Sequence, residues 1–249
     1  MPAPPIVKTS AVFAELPGEF KMPKIVLQAV AGFGKTTIGA HVPDAQMILV
    51  ETETGYETLL GNKRVPSRPV AKTNDWKTTL DLVEQAQGNL VIDELTAIEK
   101  QCIKYVREGF FGGNTKDYRN WGAGTDMASQ EWMKLMARLQ AKEGIVLCLA
   151  HTNIKGFSDP STVDDYSRYV GQMHKVMWSY TCQWANVILF GNYESIVNKG
   201  KGIGGYNRMI GTTHRDAYDA KNQYGMPDVI ELPDDPAKSW ETIWKEIKK

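Results

Sequence analysis

Cysteine is scarce in this chain. Cys102, Cys148 and Cys182 are the only three in 249 residues, far apart and without a CxxC pair. An odd count at such spacing excludes a disulfide framework and predicts reduced, buried thiols in a cytoplasmic protein. Histidine is nearly as scarce. His41, His151, His174 and His214 show neither HExxH nor HxxxH spacing, so the sequence gives no support for zinc. No apolar run approaches the roughly 18 residues a membrane helix needs, and no membrane contact is expected. The start, MPAPPIVKTS, has neither the basic end nor the apolar block of a signal peptide. Its prolines oppose regular structure, and residues 1–23 read as a lead-in. Net charge is missing too: 29 basic and 29 acidic residues cancel. A chain that coats nucleic acid through bulk charge is basic, so any DNA or RNA contact must come from local patches.

What is present is ordinary globular composition, 42% hydrophobic and 23% charged, at the length of one large α/β domain. Apolar runs at Lys24–Val30, Ala45–Glu51, Leu90–Ile92, Gly144–Ala150 and Asn186–Phe190 predict strands. Helical spacing predicts helices at Lys35–His41, Asn74–Gln87, Thr96–Glu108, Ser129–Lys142 and Gln172–Trp184. A last helix from Asp235-Pro236 carries an apolar stripe of Trp240, Ile243, Trp244 and Ile247. Gly109–Thr125 and Thr152–Gly171 read as loops, and Tyr193–Val197 with Tyr206–Thr213 as an antiparallel hairpin across Asn198–Gly205. Strands alternating with helices indicate βαβ units, and continuously apolar strands indicate a mostly parallel sheet buried on both faces. The expected organisation is one α/β domain over 24–233, followed by a helix, 234–249, packed on its core.

Residues 29–36 read A-V-A-G-F-G-K-T, against the phosphate-loop pattern G-x-x-x-x-G-K-[ST]. Ala29 departs from the first glycine, and a small residue still permits the turn. Backbone N–H groups of Gly32, Phe33, Gly34 and Lys35 can wrap phosphate oxygens, ahead of a helix N-terminus that attracts negative charge. Lys35 is placed to reach the β- and γ-phosphates, Thr36 to ligate Mg²⁺, and Thr37 to support the α-phosphate. Leu90–Asp93 is an apolar strand ending in a carboxylate, where phosphate-loop ATPases hold Mg²⁺. The pair of sites predicts ATP or GTP with Mg²⁺, and ATP is the expected cofactor.

From Lys24 to Pro233 the order of motifs resembles the RecA-like ATPases, most of all the small phage-encoded members implicated in recombination and single-strand annealing. That resemblance implies a RecA-like core, and four segments carry it. The strand next to the phosphate-loop strand ends M-I-L-V-E-T-E-T-G, where Glu53 matches the glutamate that activates the attacking water. Glu94, directly after Asp93, is the rival base. In V-L-C-L-A-H-T, His151 occupies the place of a γ-phosphate sensor. The following loop and the glycine-rich Asn198–Gly205 match loops that contact single-stranded DNA. There Lys155, Arg168, Lys175, Lys199, Lys201 and Arg208 are the expected phosphate contacts. Phe157, Tyr166 and Tyr169 are the expected base-stacking groups, while Asp159, Asp164 and Asp165 dilute the charge. Finally D-A-K-N-Q-Y-G-M-P is similar to a motif that projects a basic residue into a neighbouring subunit's nucleotide site. Lys221 matches its lysine, Gln223 replaces its arginine, and Arg208 or Arg215 could compensate.

The resemblance implies a DNA-stimulated ATPase acting in phage recombination, annealing or repair in the host cytoplasm. It also implies a ring or filament of identical subunits and a single-strand-binding protein as a further partner. A nucleoside or nucleotide kinase, and an assembly factor without turnover, share the phosphate loop and stay open at this point.

Overall fold

A computed structural model describes residues 18–157, 165–198 and 201–249, with the backbone alone for 195–198 and 201–206. In chain order the elements are β1 (Lys24–Ala29), α1 (Lys35–Ala40), β2 (Gln46–Val50), α2 (Gly55–Gly61), β3 (Val70–Thr73), α3 (Trp76–Gln85), β4 (Leu90–Asp93) and α4 (Leu95–Phe111). There follow α5 (Thr115–Arg119), α6 (Ala123–Gln140), β5 (Val146–Phe157), β6 (Tyr166–Gly171) and α7 (Lys175–Trp184). The chain closes with β7 (Val187–Asn198), β8 (Lys201–Gly211), β9 (Lys221–Asn222), β10 (Val229–Glu231) and α8 (Ser239–Ile247).

The sheet runs β10-β8-β7-β1-β5-β4-β2-β3. It is parallel from β7 to β3, while β8 and β10 add antiparallel strands at one end. This is the mostly parallel, helix-flanked α/β core expected. β1 is buried along its whole length, and alternate side chains enter opposite layers. Val26 joins Trp76, Ile98, Trp132 and Met177 of α3, α4, α6 and α7 on one face. Ile25 and Leu27 join Ile38 of α1 and Trp240, Ile243 and Ile247 of α8 on the other. The C-terminal helix thus lies on the layer beside the phosphate loop.

The structure differs from the sequence reading in four places. β2 is not next to β1; β5 and β4 stand between them, so Glu53 follows the strand that flanks β4. Gly109–Thr125 is helical, not a loop. Asn114 caps α5 by accepting from the N–H groups of Lys116 (2.9 Å) and Asp117 (3.3 Å). Gly112, Gly113 and Gly122, at φ of 56°, 80° and 77°, turn the chain between helices instead of dissolving them. Thr152–Gly171 holds a hairpin: β5 continues past the core sheet and pairs antiparallel with β6 from Thr152↔Gly171 to Phe157↔Tyr166. A polar sequence conceals that pairing, which the Phe157 and Tyr166 rings, 5.6 Å apart, help hold; Asp159 and Asp164 lie outside the described residues. Within the glycine-rich Asn198–Gly205, Asn198 and residues 201–204 are paired in the β7–β8 hairpin itself, with Asn198 opposite Lys201. Lys199 lies outside the described residues, as does the lead-in before residue 18. Cys102 and Cys148 are buried, whereas Cys182 is half-buried; burial pushes all three thiols upward.

One buried acid ties the helical layer to α7. Glu99 of α4 accepts the His174 N–H at 2.7 Å, just before α7. Burial pushes its carboxyl up to about 7, against the weaker opposing pull of that hydrogen bond. A raised carboxyl favours the fold only while protonated. Its contribution is complete below the ordinary glutamate value and is lost as pH rises through about 7. Glu99→Gln keeps the acceptor and removes the charge. Thermal melting should therefore show the variant gaining up to about 3 kcal/mol over the parent at pH 8.5, with the two curves converging below pH ~4.5. Equal melting of the two proteins at pH 8.5 would contradict this.

Candidate nucleotide-binding site

The phosphate loop lies where β1 ends, the position at which open α/β sheets bind ligands. Gly32 and Gly34 take φ of 76° and 99°, which a side chain would strain. The first N–H groups of α1, on Lys35, Thr36 and Thr37, have no acceptor within the helix and are available to an anion. The Phe33 amide instead closes a turn onto the Val30 carbonyl at 3.4 Å, and its ring is buried. Ala29 stands where glycine was expected, and the neighbouring strand supplies the compensation. Ala29 pairs with Gly191 of β7, where a Cβ would fall 2.8 Å from the Ala29 methyl and 2.5 Å from the Phe33 ring. Gly191→Ala should displace the loop. The expected result is a loss of nucleotide affinity by calorimetry, with about 1–3 kcal/mol of destabilisation by denaturant unfolding; unchanged affinity would show the loop to be indifferent to this strand.

Around the loop three strand ends converge. The Lys35 amine donates to the Ala29 carbonyl at 3.3 Å and lies 3.2 Å from His151 Nδ1. Burial lowers its pKa, against the opposing attraction of Glu94, Asp93 and Glu53. At the end of β4, Asp93 accepts the Thr36 hydroxyl at 2.8 Å. Burial pushes the Asp93 carboxyl up to about 6. At the same level of β5, His151 Nε2 meets Glu94 Oε2 at 2.7 Å. An ammonium has no acceptor, so Nδ1 accepts from Lys35 and Nε2 carries the proton given to Glu94. His151 is further fixed through its backbone, which donates to Thr96 Oγ1 at 3.2 Å and accepts from the Gln172 N–H at 2.8 Å. Glu53 is half-buried on the turn after β2, and among the described residues its carboxylate has no hydrogen-bond partner. Ligand atoms of Glu53, Glu94 and His151 lie within 4.8 Å of one another.

These groups line one cleft of about 440 Å³ with Thr37, Leu59, Arg64, Tyr193, Arg208 and Pro236. The volume suits a small ligand. Unfilled helix amides, an amine and a hydroxyl–carboxylate pair are a donor set that fits a polyphosphate with a hard divalent cation. A match to the family model of the AAA domain covers residues 21–224. The chain belongs to this family. It is a P-loop ATPase domain. No curated protein matches the chain.

Within this AAA domain the other expected residues are dispersed. Lys221 of β9 pairs with Ile188 near the start of β7, away from the strand ends that form the cleft. Its amine donates to the Cys182 and Gln183 carbonyls at 3.2 and 3.4 Å, at the negative end of α7. Arg168 is bound to Asp219 at 2.6 Å and lies 5.0 Å from the Phe157 ring centre. Arg215 is paired with Asp228. Lys155 and Lys175 are exposed, and Lys201 is described by its backbone alone. Arg208 lines the cleft beside the phosphate loop. Tyr193, Arg64 and Gly191 were missed. The last had a signal in the sequence: a glycine directly after the apolar run 186–190.

Proposed function

We propose that this AAA domain hydrolyses ATP with Mg²⁺ and uses the cycle to act on single-stranded DNA, in phage recombination, annealing or repair. Mg²⁺ bound at Thr36 and Asp93 supplies charge neutralisation to the β- and γ-phosphates. Lys35 binds those phosphates, with the amides of Gly32, Gly34, Thr36 and Thr37 around them. Glu53 orients the attacking water and accepts its proton. Glu94 holds His151 in the tautomer that receives Lys35. A phosphate that draws Lys35 forward removes the donor to Nδ1, and His151 thereby registers the bound nucleotide.

One observation carries the DNA half of this reading. His151 and the β5–β6 hairpin are one continuous strand. Three residues beyond His151, Ile154 is 62% exposed, and at the far end Phe157 is 38% exposed, with Lys155 between them. Exposed aromatic and apolar groups next to a cation suit stacking on bases and contact with phosphate. A change at the nucleotide has a direct path along β5 to Phe157. With zero net charge a single chain binds a strand weakly, so useful affinity comes from several subunits aligned on one strand. A homo-oligomer and a single-strand-binding partner belong to this proposal. It does not rest on Lys221, which must leave two carbonyls to act in trans.

Anisotropy with labelled oligothymidine tests it. Binding is expected with ATP at low salt, weakening steeply as salt rises, and Lys155→Ala with Phe157→Ala should cost at least about tenfold. No detectable binding at low salt would remove the DNA reading and leave the ATPase.

A further inference from the structure

Tyr193 of β7 and Arg208 of β8 stand opposite each other in the hairpin, and together they grip the phosphate loop. The Tyr193 hydroxyl donates to the Gly32 carbonyl at 3.0 Å, and its ring meets Phe33 edge-on at 6.1 Å. The Arg208 guanidinium carbon lies 6.0 Å from the Phe33 ring centre. Behind it, Nη2 donates to the Pro233 carbonyl at 2.7 Å and to Ser239 Oγ at 3.0 Å. Those two bonds use one nitrogen and fix the plane of the group. Nη1 lies on the other side, 3.5 Å from where a Cβ on Gly34 would stand, beside the cleft that Lys35 and Thr36 line. Among the described residues no carboxylate pairs with this guanidinium. A permanently charged planar donor is thus held by uncharged acceptors at the mouth of the phosphate loop, with a nitrogen left over. A purely structural arginine is better served by a carboxylate, as Arg168 is by Asp219.

The geometry points to Arg208 as a catalytic residue acting in cis, which binds the terminal phosphate of the nucleotide and offsets the charge that develops on the transferring phosphoryl group. This rests on the ATPase reading above and adds to it the source of the arginine: the chain's own β8, not a neighbouring subunit. It also gives α8 a part, because Ser239 at its start aims the guanidinium.

The test compares Arg208→Ala and Arg208→Lys with the parent in Mg²⁺-dependent binding of fluorescent ATP and ADP and in phosphate release. Arg208→Ala should lower kcat at least ~10²-fold and ATP affinity about tenfold, with ADP affinity changed less than about threefold. Arg208→Lys should recover little, since an ammonium cannot serve Pro233, Ser239 and phosphate in one plane. Equal losses of ATP and ADP affinity with kcat unchanged would make Arg208 a brace of the loop and overturn the inference. Should Arg208→Ala fail to fold, Arg208→Gln keeps a donor for the Pro233 carbonyl and must show the same preference for loss of ATP over ADP. Mixing Arg208→Ala with Lys35→Ala subunits settles cis against trans. In cis no activity returns; recovery would show that Arg208 serves a neighbour's site. A parent chain that binds no ATP fails the ATPase reading itself, whereas a parent that turns over no faster than Arg208→Ala fails this inference alone.

Discussion

Lys35→Ala should abolish measurable turnover, a loss of at least ~10³-fold, and should weaken fluorescent ATP binding beyond the accessible range. The amine is a buried cation whose neutral partners are the Ala29 carbonyl and His151 Nδ1. Burial already lowers its pKa, so the site holds the charge at a cost and gains from an anion placed against it. Truncation removes that anion contact. It also takes away the donor to Nδ1, so His151 is no longer tied to one tautomer. The fold itself does not need the charge. Lys35→Met, with similar bulk, should melt without nucleotide no lower than the parent, since it ends the desolvation cost of a buried charge that among the described residues makes no ion pair. Phosphate-release assays and melting curves together separate loss of the site from loss of the fold. A Lys35→Ala protein with parental turnover would place the reaction elsewhere.

How much of this was legible beforehand follows from how each feature is encoded. The phosphate loop was legible because its chemistry is contiguous: residues 29–37 carry the glycines, the lysine and the threonines in one run, between an apolar strand and a helix. Asp93 was legible because a buried strand ending in a carboxylate is also local. The meeting of Glu94 with His151, and of His151 with Lys35, was not. It depends on β5 lying between β1 and β4, and the order of strands is set by packing of whole layers. The place of Arg208 at the cleft was hidden for the same reason. A glycine-rich run precedes it in sequence, whereas its partners, Tyr193, Phe33, Pro233 and Ser239, are supplied by hairpin pairing, the phosphate loop, the segment before α8 and α8 itself. Glycine misled twice. Gly112, Gly113 and Gly122 mark ends of helices, and Gly202 and Gly204 sit within paired strands. The hairpin after His151 was hidden by polar residues whose backbone groups are nonetheless paired across β5 and β6.

Glu53→Gln and Glu94→Gln should fail in different ways. Both carboxylates face the cleft, but only one is committed. Glu94 accepts His151 Nε2 at 2.7 Å, and its side chain is only 5% exposed. Glu53 is half-buried on a turn closed by its own N–H to the Val50 carbonyl at 2.8 Å, and its carboxylate is unpartnered among the described residues. A group that orients water and takes up its proton has to present an open lone pair at the moment of attack. Glu53→Gln keeps the shape and removes the basicity, so ATP should bind with parental affinity while hydrolysis falls at least ~10²-fold. Glu94→Gln can still meet His151 Nε2 through its amide oxygen, but without the charge that strengthens that bond. The expected result is a smaller fall in basal turnover, about tenfold or less, with the larger loss in stimulation by single-stranded DNA. His151→Ala should copy the second pattern and not the first, because it cuts the link between cleft and hairpin without touching the base. Single-turnover hydrolysis with and without oligothymidine distinguishes the three. If Glu94→Gln shows bound but unhydrolysed ATP while Glu53→Gln turns over normally, the base is Glu94. His151 is then its orienting partner, since an imidazole N–H at 2.7 Å would hold that carboxylate toward the water instead of sensing the nucleotide.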